Sequence, residues 1–226
     1  MARKKATVDN PLLIQSLRPA MAEVERLIEW EAAKRGGFPN GGRVVPVIAT
    51  AGKKAGCYGW FMAPNASFSP WSTREGENVA ELLINPEYMA RDVLDICATV
   101  IHECVHLYCY ATGVKDCSKS GRHNEDGFKA NAELFGLHVE LLSKSRGWSK
   151  TTLTDELRAD LEDNFKPDLV AFNLFKNIKP TNKAAANKTV KFTCEDSECE
   201  LTACRAVAAW SGFCGICNSP LVVAGK

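Results

Sequence analysis

Two histidines four residues apart in an apolar helical segment constrain this chain more than any other feature. The stretch Ile101-His-Glu-Cys-Val-His-Leu-Tyr108 follows VLDICATV and runs on into the apolar LYCY. Side chains at i and i+4 of a helix project from one face about a turn apart, close enough to grip a single ion. Only four histidines occur in the 226 residues, and a third, His123, lies in the nearby segment RHNEDGF. Zinc suits such a set, because its tetrahedral shell accepts imidazole nitrogens at ~2.0–2.1 Å and a catalytic site keeps one position for water. Glu103, next to His102, is placed to take a proton from that water, which is the His-Glu-x-x-His arrangement of zinc peptidases. A pair of satisfied core histidines would sit in the same kind of helix, so the bare pattern leaves both readings open.

The third ligand is a separate question. A metzincin would place glycine three residues past the second histidine and another histidine three beyond it. Cys109 and Thr112 stand at those positions, which removes that class. A glutamate ligand from the following segment would be Glu125 or Glu133. His123 is the stronger expectation, since it opens that segment after a loop long enough to fold back. Cys109 and Cys117 are alternatives, though free cysteines are most often small buried apolar residues. His138 falls far along the expected next helix and reads as structural.

Composition sets outer bounds. Lysine and arginine (28) nearly cancel aspartate and glutamate (27), so charge alone points to neither nucleic acid nor membrane. No apolar run approaches the ~20 residues that cross a bilayer. The opening MARKKATVDNPLL has no apolar core or small-residue cleavage site of a secretory signal, so a cytoplasmic protein without membrane contact is expected.

Ten cysteines are many for a reducing compartment, where they serve as metal ligands or buried thiols more often than as disulfides. Cys194-x4-Cys199 and Cys214-x2-Cys217 have the spacing of a zinc ribbon, four thiolates closing a structural tetrahedral site. About thirty residues cannot bury enough surface to fold unaided, so the metal would supply the missing stability. Cys204 is left over, and a pairing of Cys199-x4-Cys204 with the second knuckle stays open.

Along the chain, Asp9-Asn10-Pro11 reads as a helix start, with Leu13, Leu17, Met21, Val24, Leu27 and Ile28 at helical spacing up to Gly36-Gly37. RVVPVIA (43–49), CYGWFM (57–62) and NVAELLIN (78–85) read as strands. A second helix runs from Arg91 to about Thr112 and stops at Gly113. A third is expected over Asn124–Ser145, with Phe128, Ala132, Phe135 and Val139 on one face. A short helix follows Thr154 as its N-cap. The segment from Leu169 to Thr193 carries Lys176, Lys179, Lys183, Lys188 and Lys191 without an acidic residue. The expected division is a first domain over 1–168, a basic linker over 169–190 and a ribbon over 191–226.

The ordered series GWF (59–61), AELLINPEY, DICATVIHECVHLY, GRHNEDGFKANAELFGL and the terminal four-cysteine ribbon resembles the SprT-like zinc metallopeptidases, the group related to the eukaryotic protease Spartan. ATGVKDCSKSGRHNEDGF, GW at 147–148 and TTLT are similar to SprT-like proteins of actinobacteria and their phages. The resemblance implies an α+β fold with a minigluzincin-like core: a helix, a small antiparallel sheet, then the metal-bearing helices. It implies His102, His106 and His123 as ligands of a catalytic Zn2+, Glu103 as acid and base, and a structural Zn2+ in the ribbon. The first knuckle is Cys-x4-Cys here, where Cys-x2-Cys is common in the family.

The function expected is a zinc-dependent endopeptidase whose protein substrates are bound or crosslinked to DNA. The basic linker and the ribbon would contact a phosphate backbone, and Trp210 is a candidate to stack on a base. The strand around Ala80–Ile84 is the expected edge for an extended substrate. Tyr108, Tyr110 and Arg122 are candidates for stabilising the oxyanion. Two rivals remain at this point: a non-enzymatic nucleic-acid-binding or regulatory protein with two structural metal sites, and a general processing peptidase with no DNA role.

Overall fold

A computed structural model describes residues 15–38, 43–50, 56–64, 70–177, 189–199, 204–207 and 211–223, with the backbone alone for residues 189 and 204–207. The chain forms two compact units that divide between Ile178 and Lys179. It is a mixed α+β protein with small sheets.

In the first unit, α1 (Arg18–Lys34) has Pro19 in its first turn, where a missing N–H costs nothing. Ala20, Val24, Leu27 and Ile28 recur on its buried side, as the helical spacing predicts. The expected start at Asp9-Asn10-Pro11 lies outside the described residues. The first sheet contains β1 (Val44–Ile48), β2 (Gly59–Met62), β3 (Trp71–Ser72) and β4 (Asn78–Ile84). β4 is central: β1 pairs with it in parallel, β2 and the short β3 antiparallel. The sheet is therefore mixed rather than antiparallel. It also follows that Ala80–Ile84 is not a free edge; its residues pair with β1 on one side and β2 on the other, and Ala80, Leu82 and Ile84 are buried.

α2 (Val93–Thr112) begins where the Asp92 side chain accepts a hydrogen bond from the Leu94 N–H and ends at Gly113 in the left-handed conformation. It is apolar nearly all round because it is buried nearly all round, packed by α1 and by the first sheet. Among the described residues it is the one helix long and apolar enough to cross a bilayer, and it lies mostly inside the unit.

The expected helix over 124–145 is not formed. A π-helical turn (Glu125–Lys129) leads into a short α3 (Ala130–Leu134), and the chain then turns at Gly136, whose φ of +81° suits glycine. Beyond it β5 (Leu137–Glu140) pairs with β6 (Lys150–Leu153), Leu137 and Val139 facing inward and His138 and Glu140 outward. Phe128, Ala132, Phe135 and Val139 are all buried as expected, but Val139 reaches the core by strand alternation. His138 is accordingly exposed on a strand rather than structural within a helix. α4 (Asp155–Asp160) follows, with Thr154 capping it by accepting from the Leu157 N–H. Ala171 and Phe172 are buried in the same core and the Lys176 N–H bonds to the Pro86 carbonyl, so packed structure continues past residue 168 into the expected linker. The lysine-rich stretch 179–188 lies outside the described residues.

The second unit is a three-stranded antiparallel sheet of β7 (Thr189–Cys194), β8 (Cys204–Val207) and β9 (Leu221–Val223), with β7 in the middle. Phe192 and Cys214 are its buried centre.

Candidate metal centres

His102 and His106 come from adjacent turns of α2, and the loop after Gly113 returns His123 to them. The return is fixed by backbone bonds. Asn124 N–H reaches the Asp116 carbonyl at 3.0 Å, His123 N–H reaches the Arg146 carbonyl at 3.1 Å, and Trp148 N–H reaches the His123 carbonyl at 3.2 Å. One donor atom from each histidine lies within 4.8 Å of the others. The Phe128 ring forms a common floor, its centroid 4.6 Å from His102, 4.7 Å from His106 and 4.4 Å from His123.

The orientation of the rings selects the donor atoms. Nδ1 of His102 lies 2.9 Å from the Thr151 hydroxyl on β6, and Nδ1 of His106 lies 2.5 Å from an Asp116 carboxylate oxygen. Such partners occupy Nδ1 of each ring and leave Nε2 as the atom available to a metal. Nε2 of His106 and Nε2 of His123 face each other at 3.1 Å. Two nitrogens of one tetrahedral ion with bonds of ~2.0–2.1 Å stand about 3.3 Å apart, so the spacing fits a shared metal. Burial and the neighbouring histidines hold His102 well below the usual imidazole range, and burial draws His123 down to about 4. Both are therefore neutral near pH 7, the state in which imidazole binds metal.

Glu103 points from the same helix toward β2. It is only 4% exposed, and burial pushes its carboxyl up to about 7, against the pull of His106 and of a hydrogen bond from the Phe61 backbone. A carboxyl with that affinity is suited to taking and returning a proton at neutral pH. On Asp116, burial pushes upward, but the hydrogen bond to His106 and the attraction between the two groups outweigh it and keep the carboxylate low.

The alternatives for the third ligand stand at different places in the structure. Glu125 and Glu133 are exposed and pair with Lys129. Cys109 is a buried thiol pushed up to about 12 by burial, and it joins no ligand group among the described residues. Cys117 does stand in a group, but with His106 and Asp116 rather than with His102 and His123. Tyr108 packs between Phe38 and Phe135, whereas Tyr110 lies 6.1 Å from Phe61, whose ring stacks 6.4 Å from His106. Asp116, Thr151 and Phe128 complete the centre, and no local pattern in the sequence marks the first two.

In the second unit Cys194, Cys199, Cys214 and Cys217 offer sulfurs within 4.8 Å of one another, and this set can hold a metal ion. Cys194 and Cys217 are 3.3 Å apart and Cys199 and Cys214 3.5 Å. Sulfurs bound at ~2.3 Å to one tetrahedral ion stand about 3.8 Å apart, a few tenths of an ångström wider than these spacings. Hydrogen bonds from Ser219 draw Cys217 down to about 6, while burial and the hydrogen bond with Cys217 push Cys194 up to about 12. The backbone of Cys204 pairs with Phe192 in β8, and its side chain lies outside the described residues. Comparison with protein-family models, with curated proteins and with solved structures finds no match to this chain.

Proposed function

We propose that this chain is a zinc-dependent endopeptidase of the SprT-like kind, with a minigluzincin-like core and a separate zinc ribbon. The observation that carries the reading is the convergence of three histidines, two of them held at Nδ1 by Thr151 and Asp116, beside the buried carboxyl of Glu103 and a strand at the margin of its sheet. Three imidazole donors match a catalytic zinc site with room for water, and four cysteines match a closed structural one. Zinc, when bound, lowers the pKa of a water toward ~7 and polarises a carbonyl.

The rest of the work falls to the chain's own residues. Glu103 takes the proton of the attacking water and returns it to the leaving amine. Thr151 and Asp116 keep His102 and His106 turned toward the ion. Among the described strands β2 ends the sheet order, and it packs against α2, so we assign to it the role of receiving an extended peptide that the sequence suggested for Ala80–Ile84. Phe61 and Tyr110 offer an apolar wall along that path.

The substrates we assign are proteins bound or crosslinked to DNA, on the resemblance and on the lysine-rich segment before the ribbon. The test is cleavage of a DNA-binding protein by zinc-loaded wild type and Glu103→Gln, with and without single-stranded DNA. Cleavage by wild type alone, stimulated by DNA, supports the whole reading. Cleavage indifferent to DNA keeps the peptidase and removes the DNA role. No cleavage by loaded wild type overturns the enzyme in favour of a binding protein.

A further inference from the structure

We infer that Arg91 determines substrate specificity, binding a carboxylate of the peptide at the first or second residue after the scissile bond. The inference rests on the peptidase reading and adds a substrate class to it. Arg91 is half-buried and bonded through each of its three nitrogens, yet every group it touches is neutral. Its Nε donates to the Tyr88 carbonyl at 2.7 Å, Nη1 to the Asp95 carbonyl at 3.4 Å and Nη2 to the Thr99 hydroxyl at 3.0 Å. Its guanidinium carbon lies 4.2 Å over the Tyr58 ring. Arg26 and Arg35 also lie on aromatic rings, but each holds a glutamate, Glu23 and Glu31. Among the described residues no carboxylate pairs with Arg91; Asp95 acts on it only from a distance, and burial opposes its charge. A guanidinium has five N–H donors, so two remain for a ligand.

Its place relative to the reacting centre gives the ligand a position. β2 and α2 run in the same sense. A Cβ on Gly59 would touch Thr99 and Glu103, while Phe61 reaches Glu103 through its backbone and His106 through its ring. A peptide added antiparallel to β2 therefore runs from the Tyr110 end toward the Thr99 end. Residues after the cut approach Arg91. Thr99 stands one turn before Glu103, about 6 Å along the helix at 1.5 Å per residue, which an extended chain covers in about two residues. A carboxylate there would complete the charge-assisted pair that Arg91 lacks in its own chain.

Cut sites in an unfolded protein are mapped by mass spectrometry, and peptides spanning one site are made with Glu, Gln or Lys at the two positions after the cut. The zinc-loaded full chain is expected to prefer Glu over Gln by about tenfold in kcat/KM at one of those positions. Arg91→Gln should bring the ratio to about one, and Arg91→Glu should turn the preference toward Lys. A ratio is read because damage to folding lowers both rates together. Equal rates of wild type on Glu and Gln peptides overturn the inference. If no peptide is cut, the peptidase reading falls, and binding to Glu103→Gln decides the Arg91 site. Glu peptide held about tenfold tighter than Gln peptide, with the difference lost in the double variant, sustains it; equal binding overturns it.

Discussion

Gly59 lies against Glu103 so closely that a Cβ on the glycine would stand 2.7 Å from the carboxylate oxygen and 3.0 Å from Cγ. The same Cβ would meet Thr99 Cγ2 at 3.0 Å. Because β2 is held by its register to β4, with Gly59 opposite Ile84, the strand cannot retreat without breaking that ladder. The carboxylate must give way instead. Gly59→Ala is therefore expected to keep the metal and the fold but lower kcat/KM by about a hundredfold, the cost of misplacing a reacting group by about 1 Å. Metal content measured beside peptide cleavage separates the effects; an alanine variant as active as wild type means that Glu103 is not held by this contact.

Asp116 and Thr151 touch no substrate, and their substitution should show up in the metal. Asp116→Asn and Thr151→Val are each expected to weaken metal retention about ten- to a hundredfold. Competition with a chromogenic chelator measures this directly. Asp116→Asn should be the worse of the two, because it replaces a charged partner of His106 by a neutral one. Retention unchanged in both variants would remove them from the centre.

The metal-free protein should be acid-sensitive in a defined window. His102 and His123 are both held below the ordinary imidazole value of 6.5, His123 to about 4, chiefly by burial. An unfolded chain binds protons at these positions before the folded one does. Their contribution to stability is therefore complete above about pH 6.5 and is lost as pH falls toward 4. After chelation, the melting temperature should fall steadily across that range, and His123→Asn should flatten the fall. A metal-free melting temperature that is constant from pH 7 to pH 4 contradicts the burial of neutral histidines.

What could be read in advance was what local chemistry decides. α2 carries its own start at Asp92, its own stop at Gly113 and an unbroken apolar run, so its bounds and its histidine pair were legible. The four-cysteine set was legible because ligand spacing is a local property. The segment after His123 misled because Phe128, Ala132, Phe135 and Val139 fit a helical period while Gly136 breaks it, and Leu137 and Val139 fit a strand period equally well. β4 was recognisable as a strand, but its central place depends on the parallel pairing of β1, which the residues of β4 do not encode. Asp116 and Thr151 meet the histidines only after the loop and the β5–β6 hairpin have folded, so nothing near them in sequence signals the role.

Among its described residues the second unit has little besides its metal set to hold it together. Phe192 and Cys214 are the buried apolar residues among its described side chains, and the other described side chains of β7 and β9 are half-exposed or exposed. A unit of this size has little room for a core that balances the conformational entropy of its chain, and the expectation is that metal binding supplies the difference. Cys214→Ser, which removes the buried ligand, is expected to unfold this unit while the first unit keeps its own core of α1, α2 and β4. Limited proteolysis should then trim the variant back toward residue 178 and leave a protected fragment that still binds one metal per chain instead of two. Wild type stripped of metal by a chelator should give the same fragment. Full-length survival of Cys214→Ser under protease, with one metal lost, would mean that the second unit folds without its ion and that the four sulfurs serve something other than stability.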